Sequence, residues 1–107
     1  MSMPLIRAWL HQRSIQLDVE IAEDEVMQFK VDIYWSAEPR SRFLFRVMRY
    51  DFFRMLVREE KEGDRYVDHE ALIVDTTFDG MTVEAEEIES ALCKFESRFR
   101  SQFTLDG

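Results

Sequence analysis

From Ser14 to Ala22 apolar and polar side chains alternate without a break, Ile15, Leu17, Val19 and Ile21 against Gln16, Asp18 and Glu20. A period of two places the first set on one face of an extended chain, so the segment is predicted as a half-buried strand. Glu23, Asp24 and Glu25 form an acidic turn, after which Met27, Phe29, Val31, Ile33 and Trp35 repeat the alternation against Gln28, Lys30, Asp32 and Tyr34. Two such runs joined by a few polar residues predict an antiparallel hairpin. Ser36 to Ser41, with Pro39 inside it, is predicted as a loop, because proline gives a ladder no donor.

Phe43, Phe45 and Val47 alternate with Arg42, Leu44 and Arg46, a third strand, but beyond Met48 the phase blurs. A straight strand over 42–58 would run roughly 55 Å at about 3.3 Å per residue, too long for a compact domain of this size. The pattern therefore calls for a bulge near Arg49 to Asp51 or a helix over 50–60. The helix would set Glu59, Glu60 and Glu62 at the negative end of its dipole, so the bent strand is preferred. Glu60 to Asp64, with Gly63, reads as a hairpin loop leading into an extended Arg65 to Thr77.

Asp79-Gly80 predicts a turn and Thr82 an N-cap. From there Ile88, Ala91, Leu92, Phe95, Phe99 and Phe103 mark one stripe of a helix. Its acids gather at the start and its bases at the end, as the dipole favours. The segment Pro4 to Gln12 reads as a short helix or an edge strand. Together these elements predict an α+β fold: a four- to five-stranded antiparallel meander sheet with the C-terminal helix packed on one face. The inward set is Ile15, Leu17, Val19, Ile21, Phe29, Val31, Ile33, Phe43, Phe45 and Val47, against Leu92, Phe95 and Phe99.

Length and composition narrow the class. The 107 residues suit a single domain, residues 1–107, and nine Phe with only three Gly and two Pro favour a folded core over long loops. One cysteine forms no intramolecular disulfide, and no early apolar stretch is long enough for a signal peptide or membrane span. We therefore expect a soluble cytoplasmic protein.

Charge changes the picture most. The stretch Arg40 to Arg58 holds Arg40, Arg42, Arg46, Arg49, Arg54 and Arg58 against the single acid Asp51, +5, leaving −13 on the rest of a chain whose net charge is −8. One reading is internal: the arginines face Asp18, Glu20 and Asp32 of the first hairpin across the sheet, each cross-strand pair stabilising by roughly 0.2–1 kcal/mol. The other is a recognition surface. The face away from the core would carry Tyr34, Arg42, Leu44, Arg46, Met48 and Tyr50, a mixture of Arg, Tyr and Met typical of protein interfaces. A homodimer closing that face and a foreign protein partner are both compatible with it. The acidic runs at Asp18 to Glu25, Glu59 to Asp64 and Glu84 to Glu89 also suit an inhibitor or immunity-type protein covering a basic site.

Two other classes are carried as alternatives. Arg42-Phe43-Leu44-Phe45-Arg46 has the basic and aromatic residue types of RNA-stacking strands, but its phenylalanines belong to the predicted core face, and the surplus acid repels phosphate. Asp68-His69-Glu70 with Asp75 has metal-ligand residue types for a metal-dependent enzyme, yet neighbouring strand residues point to opposite faces. Two histidines and one thiol make a poor zinc set, His11 reads as a surface or packing residue, and Cys93 as a buried small hydrophobe. No Gly-rich phosphate loop or nucleophile elbow is present. The sequence thus predicts a small acidic interaction protein (inhibitor, chaperone-like or assembly accessory), non-catalytic and without cofactor or metal.

Overall fold

A computed structural model describes residues 8–103. Five strands, β1 (Leu10–Ala22), β2 (Glu25–Ser36), β3 (Arg42–Val57), β4 (Arg65–Val74) and β5 (Met81–Glu84), precede one helix, α1 (Ile88–Ser101). The sheet runs β1-β2-β3-β4, with β5 also paired to β3, and every pairing is antiparallel. The α+β meander expected from the alternation is the fold observed.

The alternation sets the layers. Phe29, Val31 and Ile33 on β2 and Phe43, Phe45 and Val47 on β3 are buried, and α1 lays Ala91, Phe95 and Phe99 over them. Phe45 and Phe95 stack with ring centroids 4.5 Å apart, and Phe29 meets Phe99 edge-on at 5.1 Å. Each such side chain contributes about 1.5–3 kcal/mol by leaving water. Ile15, Leu17 and Val19 of β1 pack at the margin of this core, while Ile21, also expected inside, is 43% exposed because it lies past the end of α1's cover.

Of four expectations, three are corrected and one, the N-terminal edge strand, is met where it is described. Thr82 does not cap the helix: it lies inside β5, paired opposite Leu44, and α1 begins at Ile88 after Glu87. Cys93 is exposed rather than buried, since it falls off the Ala91–Phe95–Phe99 stripe. Of the N-terminal segment, Leu10 to Gln12 belong to β1, and the rest of that expectation lies outside residues 8–103 or in the coil at Ala8 and Trp9. The fourth concerns β3. It runs 16 residues, with an unbroken register to β2 from Arg42 to Arg49 and to β4 from Met48 to Val57, so no bulge shortens it.

The strand is long because the molecule is not compact. Its radius of gyration is 19.2 Å and it extends 64 × 46 × 21 Å, against a radius of about 13 Å for an ordinary 100-residue domain. β2 leaves β3 at the Phe29–Arg49 pair, and from Tyr50 onward β3 has only β4 beside it. The second half of β3 and most of β4 form a two-stranded ribbon projecting from the body.

The base of the ribbon is locked by the loop between β4 and β5. The Asp75 amide donates to the Val47 carbonyl at 2.9 Å, the Gly80 amide to the Phe45 carbonyl at 2.9 Å, and the Asp79 carboxylate accepts the Val47 amide at 2.8 Å. A side-chain oxygen here substitutes for a missing strand neighbour, keeping the buried edge of β3 satisfied. Gly80, at φ 88°, supplies the left-handed residue that this return requires.

Candidate functional site

Because side chains alternate across a strand, burying Val31, Ile33, Phe45 and Val47 under α1 forces Asp32, Tyr34, Leu44, Arg46 and Met48 onto the opposite face. No helix covers that face among the described residues. Trp9, Asp32, Tyr34, Leu44, Arg46, Met48, Val74 and Asp79 line an open depression of about 390 Å³ there. Four of the six residues expected at a recognition face, Tyr34, Leu44, Arg46 and Met48, are brought together in it. Arg42 and Tyr50 lie at the two ends of the same row, Arg42 beside β5 and Tyr50 at the root of the ribbon.

Its polar groups are mostly held. Arg46 Nε forms an ion pair with Asp79 at 3.1 Å, while Asp32 accepts from Ser14 and lies 3.9 Å from His11, whose ring meets Tyr34 edge-on at 5.3 Å. Arg42 differs: its Nε is buried without a hydrogen-bond partner. Such a donor loses its water without recovering an acceptor, which costs roughly 1–3 kcal/mol.

The arginine stretch does not pair with the first hairpin as the internal reading expected. Arg46 is opposite Asp32 in register but turns to Asp79; Arg40 reaches Glu84, Arg49 reaches Asp51 and Asp75, and Arg54 reaches Asp68. The partners come from β3 itself and from residues after it. Arg49 lies on the helix side of the strand, whereas Arg42, Arg46 and Arg54 share the outer face.

The ribbon extends this outer face, and apart from Tyr50 its residues were not assigned to a recognition surface from the sequence. Its residues there are Tyr50, Phe52, Arg54 and Leu56 of β3 and Tyr66, Asp68, Glu70, Leu72 and Val74 of β4. Phe52 and Tyr66 are each 69% exposed, and Leu56, Leu72 and Val74 are also exposed. The reverse side carries Phe53 and Met55, again exposed, opposite His69 and Val67. The signal was present: over 50–57 apolar residues occupy both parities, the pattern of a strand covered on both faces. Trp9 precedes the alternating run, and the turn residue Asp79 falls outside the alternating segments.

The alternative chemistries are not assembled. Asp68 and Glu70 share one face of β4 and His69 takes the other. Asp75 is buried at the ribbon's base, accepting the Thr77 and Phe78 amides at 3.0 and 3.2 Å beside Arg49. Among the described residues no group of three or more His, Cys, Asp or Glu side chains could hold a metal ion. Phe43 and Phe45 are buried under α1 and offer no stacking platform to bases. No described helix is long and apolar enough to cross a membrane. No protein-family model, curated protein or solved structure matches the chain.

Proposed function

We propose that the chain is a small acidic protein-recognition module whose working surface is the sheet face turned away from α1, continued along the ribbon. The observation that carries this reading is the ribbon itself. A two-stranded hairpin is at best marginally stable in water, and apolar side chains on both its faces have no cover among the described residues. A protein partner supplies that cover. The depression at the ribbon's root adds Trp9 and Tyr34, aromatic side chains of the kind that dominate interface energetics, with Leu44 and Met48 beside them. An inhibitor, dedicated chaperone or assembly accessory fits this surface, and the exposed single thiol of Cys93 suits a reducing, cytoplasmic setting.

The reading is tested by affinity capture from the native host with the wild-type chain, a Leu44→Glu/Met48→Glu variant and a Ser97→Glu control on the exposed side of α1. A partner set retained by the control and lost by the face variant supports recognition through this face. An identical set with all three chains removes it.

A further inference from the structure

The free margin of β5 has room and hydrogen bonds for one more strand. The Ala85 amide donates to the Ser41 carbonyl at 3.3 Å, and β5 pairs with β3 from Met81 to Glu84. Because an antiparallel ladder alternates, Met81 and Val83 turn their amides and carbonyls to β3, and Thr82 and Glu84 turn theirs outward. Lys94 of α1 reports that direction, since its Nζ donates to the Glu84 carbonyl at 3.2 Å. Among the described residues β3 is the only strand beside β5, so the Thr82 amide and carbonyl and the Glu84 amide have no partner there. A lysine thus stands in for one donor of an absent strand.

Beside β5 runs a groove, about 590 Å³ along Met81 to Glu84 and about 440 Å³ along Thr77 to Thr82, the two parts sharing Met81, Thr82 and Arg98. Cys93, Lys94, Ser97 and Arg98 of α1 form its other wall. The helix distributes its charges unequally. Its acids turn to β1: Glu89 pairs with Arg13, and Glu96 lines a depression with Leu17 to Glu20. Lys94 and Arg98 stand on the β5 side, and the Arg98 guanidinium has no hydrogen bond or ion pair among the described residues. The carboxylates on the strand side, Glu84 and Asp79, already pair with Arg40 and Arg46. The helix wall of this groove is therefore basic, in a chain whose net charge is −8.

We propose that this groove binds an extended segment of another protein, added as a strand to β5, with acidic side chains at alternate positions. Main-chain bonds to Thr82 and Glu84 supply affinity, and every second side chain, facing α1, supplies specificity. The spacing fits. Lys94 and Arg98 stand one turn apart on α1, about 6 Å along its axis, and alternate residues of a strand rise about 6.6 Å. Lys94 is beside Glu84, and Arg98 is beside Met81 and Thr82, so the two bases follow the line of β5. An amide of the added segment takes the Glu84 carbonyl and releases Lys94 to a carboxylate. The groove is separate from the outer face, and the inference does not rest on the recognition reading above.

Fluorescence anisotropy of the full chain with a labelled Thr-Glu-Val-Glu-Thr peptide tests it. The peptide is expected to bind, and its Thr-Lys-Val-Lys-Thr counterpart at least about ten-fold more weakly. Lys94→Glu/Arg98→Glu, with folding checked by circular dichroism, should reverse that preference. The ladder is read separately. N-methylation of the valine, whose amide faces β5, should weaken binding about ten-fold, whereas N-methylation of a glutamate, whose amide faces water, should cost far less. Absence of binding at millimolar peptide overturns the inference. So does an unchanged preference in Lys94→Glu/Arg98→Glu, or an equal loss from methylating either position. In the capture experiment Ser97→Glu sets a carboxylate in this groove, so a partner lost by that chain alone belongs here, and one lost by Leu44→Glu/Met48→Glu alone belongs to the outer face.

Discussion

Phe45 and Phe52 lie seven residues apart on one continuous strand, yet the first is fully buried and the second 69% exposed. Phe45 has β2 and β5 on its flanks and Phe95 stacked upon it; Phe52 has β4 on one flank and no element above it among the described residues. Residue type is the same, and so is backbone conformation. Tertiary neighbours make the difference: the body uses its aromatics to fold, and the ribbon holds its aromatics ready for contact.

That contrast can be broken by substitution. Phe45→Ala should cost about 3–5 kcal/mol of stability in urea unfolding, because it removes a stacked ring and leaves a cavity under α1. Phe52→Ala should change stability by no more than about 0.5 kcal/mol in the monomer, and a large loss there would mean that the ribbon already belongs to the core. Asp75→Ala should cost roughly 1–3 kcal/mol, since it strips the Thr77 and Phe78 amides of their acceptor and leaves Arg49 without its buried partner. Thermal melts of this variant would show whether the lock at the ribbon's base is as firm as its hydrogen bonds imply.

Gly80→Ala is expected to lose about 1–2 kcal/mol, the cost of a side chain in left-handed backbone, although a Cβ there meets no atom within 4 Å. The smallest effect belongs to the ribbon surface. Arg54→Ala breaks an exposed pair to Asp68, 3.1 Å apart, and should shift global stability by under about 0.5 kcal/mol. Hydrogen exchange would sharpen the comparison at residue level: amides of Phe52 to Val57 should exchange well before those of Val31 to Ile33, as local opening of a two-stranded element costs less than global unfolding. Equal protection in the two segments would erase the distinction drawn between them.

Most of the body was legible because period-two alternation in 14–22 and 27–35 and the helical stripe from Ile88 each have one geometric solution. Tyr34, Leu44, Arg46 and Met48 could be assigned to one face for the same reason: alternation fixes side even before the partners are known. The ribbon was misjudged through an assumption about size. A 16-residue strand was judged too long for a compact domain, and the molecule is extended instead. The arginine pairings were equally hidden, because side-chain reach lets Arg46 prefer Asp79 over Asp32, its neighbour in register. Thr82 looked like a cap because its residue type suits one; it became a strand residue because the exposed edge of β3 offered its neighbours backbone hydrogen bonds.

The order of hydrophobic and polar residues by itself determined which segments extend, which one coils and which side of each faces the interior, since those follow from the pitch of the backbone. Where β2 would part from β3, which carboxylate each guanidinium would choose, and that half a strand would stand uncovered were decided only in three dimensions. Such choices depend on distances between residues far apart in the chain, and local periodicity carries no measure of them.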